Sequence, residues 1–155
     1  MSDYYRPKGL SSAVSYVDPK AAYLWLEQAF GFEPLFVILD EKGDLAHSEM
    51  TYGESVVMVG NEWSADHKSP KSLGGKNTQT VHVQLAKGED IDAHCEAARK
   101  AGAEILQAPG TQFYGDRTYR ARDPEGHIWT FGVTVEEMSP EAWDKASGLK
   151  TQARL

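Results

Sequence analysis

Ala29-Phe30-Gly31-Phe32 closes one helical stripe of apolar residues, and 71 residues later Lys100-Ala101-Gly102-Ala103 closes another. The next punctuation repeats as well: Gly53 stands before one apolar run and Gly126 before its counterpart, at an offset of 73. Working outward from these glycines, both halves follow one order: a short alternating run, a helical stripe, then three strand-like runs. A repeated unit that cannot bury its apolar face alone packs on its copy, and the cleft between copies is the natural place for a ligand. The expected fold class is therefore α+β, with two tandem βαβββ modules at about 10–60 and 80–135. A linker at 61–79 joins them, and a helical tail follows at 136–155.

Residues 10–17 alternate Ser11, Ala13 and Ser15 with Ser12, Val14 and Tyr16, the two-residue period of a strand with one open and one packed face. Asp18-Pro19 supplies a capping carboxylate and a proline suited to a first helical turn. Ala22, Trp25, Leu26, Ala29 and Phe30 then recur at helical spacing, until Gly31 ends the helix by adopting a left-handed conformation. Strands are expected at 33–39, 45–52 and 55–59. In the second module a strand at 80–85 precedes a helix at 89–101, whose inner stripe is Ile91, His94, Cys95 and Ala98. Strands at 103–107, 117–122 and 127–133 complete it, the last after the reverse turn Asp123-Pro124-Glu125-Gly126. The linker is turn-rich and reads as flexible, and Trp143 is expected to dock a short helix that begins at Pro140.

Alternation sorts the strands into two faces. Ser11, Ala13, Ser15, Gln84, Ala86, Thr130 and Gly132 share one, and their small size leaves room for a cavity. Val14, Tyr16, Val83, Leu85, Trp129 and Phe131 face the helices.

A chain of 155 residues with 41% hydrophobic and 25% charged residues builds one sizeable core. Its net charge of −7 argues against a nucleic-acid partner, which calls for a basic surface. Cys95 stands alone, so an internal disulfide and a four-cysteine zinc site are excluded, and its helical spacing makes it a small core residue. No apolar run approaches the roughly 20 residues of a membrane span, and residues 1–7 lack the apolar core of a secretory leader. The cytoplasm is the expected location. There is no Gly-rich phosphate loop, nucleophile elbow or Cys-His pair, which leaves nucleophilic catalysis without a candidate.

The repeated strand-helix-strand-strand-strand order, with Asp123-Pro124-Glu125-Gly126-His127-Ile128-Trp129 before the last strand, resembles the vicinal-oxygen-chelate superfamily. That group includes glyoxalase I, ring-cleaving dioxygenases and bleomycin-resistance proteins, and the resemblance spans about 10–135. Ala46-His47-Ser48-Glu49-Met50 and Tyr114-Gly115-Asp116-Arg117 are similar to its uncharacterised glyoxalase/bleomycin-resistance-like branch. The metal enzymes of the group take a ligand from the first and last strand of each module. Here those positions fall on Ser11, Met58, His82 and Thr130, of which only His82 is a good ligand for a divalent ion. The resemblance also implies a homodimer, and exposed strand edges favour pairing of the same kind.

Two functional expectations follow. The first is a small-molecule-binding protein without a cofactor, its ligand contacts drawn from His82, Trp63, Tyr114, Arg117, Thr130 and Gln84. Each has a structural alternative: His82 a satisfied core histidine, Trp63 a hydrophobic seal, Arg117 half of a structural pair with Asp116. The second is a lyase or dioxygenase using zinc, nickel, iron or manganese. His47 and Glu49 lie two apart on one strand and so share a face, and with His82 they make two imidazoles and a carboxylate, the facial set of non-haem iron oxygenases. Otherwise His47 and Glu49 are polar groups on a half-exposed strand or at a dimer seam. His94 is expected to be structural, His67 solvated, and His127 bonded to a turn carbonyl.

Overall fold

Asp18 accepts a hydrogen bond from the Ala21 amide, and Gly31, at φ 75°, returns its N–H to Glu27, so the first helix α1 (Pro19–Phe30) is closed at both ends by the residues that marked it in sequence. The computed structural model describes residues 9–155, so the stretch 1–7 read for a leader lies outside the described residues. Ahead of α1 runs β1 (Ser12–Tyr16), and after it β2 (Glu33–Leu39), β3 (Leu45–Tyr52) and β4 (Ser55–Asn61). The second module gives β5 (Val81–Gln84), α2 (Ile91–Lys100), β6 (Glu104–Thr111), β7 (Asp116–Arg122) and β8 (Ile128–Thr134), and α3 (Pro140–Ser147) follows. Each module keeps its own four-stranded mixed sheet, in the orders β1-β4-β3-β2 and β5-β8-β7-β6. The first strand of each pairs parallel to the last, and the other pairings are antiparallel. This is the α+β, twice-given βαβββ architecture that the repeat predicts.

One face of each sheet carries the helix. Val14, Tyr16, Val57, Val59 and Met50 pack with Leu26, Ala29 and Phe30 of α1, while Val83, Tyr119, Ala121, Trp129 and Phe131 pack with Ile91, Cys95 and Ala98 of α2. The two packed layers meet as one core: Phe30 and Phe32 of the first module touch Trp129 of the second at ring distances of 5.7 and 5.5 Å. Trp25 leaves the stripe at its rim, donating its indole N–H to the Ala101 carbonyl at 2.7 Å. His94 bridges the Tyr119 hydroxyl at 2.6 Å and the Phe30 carbonyl at 2.8 Å, the structural role expected of it.

The reverse turn after β7 fastens the modules. Asp123 is 4% exposed and accepts from the Tyr16 hydroxyl at 2.7 Å, while Glu125 reaches the backbone amides of Val17 and Asp18 at 2.7 and 2.9 Å. His127 bonds the Ser15 carbonyl rather than a turn carbonyl.

Two expectations are corrected. The segment 61–79 is not a loose linker, because Ser69 is buried, bonds Glu125 and Glu62, and caps a 3₁₀ turn at Pro70–Leu73. Strand β6 runs past residue 107 through Pro109, which an edge strand tolerates, with register shifts on both sides of Gln107. Trp143 of α3 is partly buried and its indole Nε1 is shielded from solvent, as expected of the side chain that docks this helix.

Candidate functional site at the module junction

Strand register decides which side chains share the face away from the helices. In the first module Ala13 lies beside Met58, Met58 beside Glu49, and Glu49 beside Phe36, with His47 two residues along. In the second, His82 lies beside Thr130 and Thr130 beside Arg120; the next row is Gln84, Gly132 and Thr118, and Asp116 faces Thr134 beyond it. A cavity of about 600 Å³ opens where β1 and β5 approach each other. His82 and Gln84 line it, along with Phe32, Tyr52, Val56 and Trp129.

The polar groups are linked. His82 Nε2 lies 3.0 Å from Gln84 Oε1, and Gln84 Nε2 donates to Asp116 Oδ2 at 3.1 Å and to Thr134 Oγ1 at 3.3 Å. Thr130 Oγ1 accepts from Arg120 Nε at 3.2 Å.

Of the six residues expected to contact a ligand, the structure brings His82, Gln84 and Thr130 onto one face. Arg117 is on the other. It alternates with Tyr119 and Ala121 toward α2, where its guanidinium forms two bonds to Asp92 at 2.8 and 2.7 Å and holds that carboxyl below its usual range. Its expected partner Asp116 points the opposite way, to Gln84. Trp63 is 69% exposed and stacks on His67 at 3.9 Å, and His67 bonds Ser64 rather than water alone. Tyr114 sits in the turn before β7, edge-on to Phe113. Neither aromatic lines the cavity, nor does Thr130, which lies beside His82 on the same face. The residue that sequence reading passed over is Arg120, which strict alternation through β7 places beside Thr130.

The metal positions need one shift. The cross-strand neighbour of Met58 is Ala13, not Ser11, because β1 pairs with β4 two residues later than counting back from Asp18 suggests. Ala13, Met58 and Thr130 supply neither nitrogen nor carboxylate, so the donor set at those four positions does not fit a divalent ion. His47 and Glu49 do meet, with Nε2 3.2 Å from Oε1 and Glu49 only 5% exposed. His82 is on the other module, and among the described residues no three of His, Cys, Asp or Glu converge as a metal would require.

The sequence pattern of the Glyoxalase/Bleomycin resistance protein/Dioxygenase superfamily matches residues 12–131, both modules except the end of β8 after Phe131. The chain belongs to that superfamily. An uncharacterised protein of Mycobacterium tuberculosis strain H37Rv, Rv0887c, is 29% identical over 126 residues, covering 79% of this chain and 72% of the relative. Its Mycobacterium bovis counterpart, Mb0911c, is equally identical and is covered to 80%. Among solved structures, TioX from Micromonospora sp. ML1 superposes with a TM-score of 0.63 at 28% identity, covering 82% of this chain and 98% of that one. TnmS3 from Streptomyces sp. CB03234, described as an antibiotic-binding protein, gives a TM-score of 0.60 at 17% identity, covering 86% and 98%.

Proposed function

We propose that this protein binds a small organic molecule in the junction cavity, against His82 and Gln84 with Thr130 beside them, without a catalytic metal ion. The observation that carries the reading is the cavity itself: about 600 Å³, with Phe32, Tyr52 and Trp129 in its wall and a short line of polar side chains at one side. An apolar wall with a few convergent polar groups is how proteins hold and orient small ligands. The likeness to TnmS3 favours an antibiotic-sized organic compound as the ligand class. Trp63 and Tyr114, outside the lining, join such a site only as rim contacts, and a second copy in a homodimer is the remaining way to bring them to it. Arg117, tied to Asp92, has no part in it.

One observation favours the alternative of a metal-dependent lyase or dioxygenase: the His47–Glu49 pair, whose carboxylate is buried. A thermal-shift experiment separates the two. A metal filled at one hundred times its dissociation constant stabilises by about 2.7 kcal/mol, roughly 5–11 °C for a chain of this length. The proposal expects no loss of Tm on treatment with a chelator and no saturable gain with zinc, nickel, iron or manganese, but a saturable gain with an organic ligand that Gln84→Ala reduces. A metal-dependent gain abolished by Glu49→Ala refutes it.

A further inference from the structure

Three polar side chains on the open face of the second sheet form a line whose donors and acceptors are forced. Gln84 donates Nε2 to Asp116 Oδ2 and to Thr134 Oγ1, while its Oε1 meets His82 Nε2. An ionised carboxylate can only accept, so Asp116 turns the amide nitrogen of Gln84 toward itself and leaves the amide oxygen for His82. That oxygen also only accepts. His82 must then present Nε2 as an N–H, and in a neutral imidazole the other nitrogen is a bare lone pair. Nδ1 has no hydrogen bond among the described residues, and the ring is exposed along the cavity. Gly132 lies beneath: a Cβ there would stand 3.2 Å from Gln84 Oε1 and 3.3 Å from His82 Cε1. The missing side chain lets the ring and the amide lie down on the sheet.

We propose that Asp116 and Gln84 fix His82 as its Nε2–H tautomer, so that Nδ1 accepts a hydrogen bond from a weakly acidic hydroxyl of the ligand, a phenol or an enol. This rests on the reading of the junction cavity as the ligand site and adds the ligand's donor chemistry. Arg120, next but one along the same row, has Nε on Thr130 and no carboxylate partner among the described residues. Its cation favours an oxygen that carries negative charge as its proton is shared with Nδ1, and it disfavours an ammonium donor. Phe32, Tyr52 and Trp129 in the cavity wall suit the flat body that a phenol or enol brings. Gln84 and Asp116 are positioning residues, whereas His82 touches the ligand.

The first test needs no ligand. Nitrogen NMR of the imidazoles in the full chain is expected to find the His82 proton on Nε2. Gln84→Ala should remove that preference and Asp116→Ala should weaken it, and Gly132→Ala should shift the same signals, while the His94 and His127 resonances stay in place and report an intact fold. A His82 proton on Nδ1, or a preference that survives Gln84→Ala, overturns the relay. The second test compares 4-nitrophenol with 4-nitroanisole, which keeps the ring and loses the donor. The hydroxyl compound is expected to bind about tenfold more tightly, the worth of one good hydrogen bond, with His82→Ala removing the difference. Equal binding of both overturns the hydroxyl assignment but leaves a ligand cavity standing, as does binding of neither when other organic compounds bind. Failure of every organic compound in the wider screen, with the tautomer as expected, instead overturns the cavity reading.

Discussion

Replacing Asp123 by alanine removes the carboxylate on which the two modules close. Oδ2 accepts from the Tyr16 hydroxyl at 2.7 Å and the Trp129 indole at 3.1 Å, and Oδ1 from the amides of Glu125 and His127, both at 3.0 Å. Tyr16 and Trp129 are 1% and 0% exposed, so neither donor can turn to water instead. Each buried donor left without a partner costs about 1–3 kcal/mol, and with the cavity that opens we expect a loss of about 3–5 kcal/mol. For a chain of this length that is a fall in Tm of roughly 6–20 °C. Asparagine separates hydrogen bonding from bulk. Its amide oxygen can keep both backbone amides, and its amide nitrogen can donate to the Tyr16 oxygen once that hydroxyl rotates. The Trp129 N–H and the Tyr16 O–H lose their acceptor, but the two backbone amides keep theirs and no cavity opens, so the loss is smaller than for alanine. Urea unfolding with an unchanged m-value measures both. Equal losses for Asp123→Ala and Asp123→Asn, or losses within about 0.5 kcal/mol of zero, would refute the donor accounting.

The face assignment makes a paired prediction: Trp129→Ala should cost about 3–5 kcal/mol as a core truncation, whereas Thr130→Val, one residue on and facing away from α2, should stay within about 0.5 kcal/mol; urea melts of the two decide it. Burial lowers the pKa of His94 below its ordinary value. The unfolded chain therefore takes up that proton first, and stability falls as pH drops through about 6.5 toward the lower folded value; comparing melts at neutral and acid pH, His94→Gln should show a smaller acid loss than the native chain. Exposed edges at β2 and β6 predict a homodimer, so sedimentation at micromolar concentration should find a species of twice the chain mass, and a monomer alone would remove any contact expected from Trp63 or Tyr114 across subunits.

Much of the fold was legible because it rests on local signals: a capping Asp18, a Gly31 that must take positive φ, and periods of two and 3.6 that sort residues by face. The site was legible only by half. Alternation along β5 and β8 put His82, Gln84 and Thr130 together correctly, and the same rule applied through β7 separates Arg117 from Arg120. What hid Arg117 was its partner: Asp92 belongs to α2, and a salt bridge between elements leaves no periodic trace. The same holds for the turn residues that fasten the modules, since Tyr16 and Asp123 meet across 107 positions of chain. Linker composition misled for a related reason, as the glycines, serines and prolines of 61–79 make a shaped crossing held by Glu62 and Glu125.

The central claim is that a small molecule lies in the junction cavity beside β5, against His82 and Gln84. Side-chain NMR shifts on titrating an organic ligand found by thermal screening test it most directly. The account predicts saturable shifts at His82, Gln84 and Thr130 with none at Arg117, Tyr119 or Ala121, their neighbours that face α2 or its side of the sheet. Shifts centred on His47 and Glu49, or on the Arg117 side of β7, would contradict it.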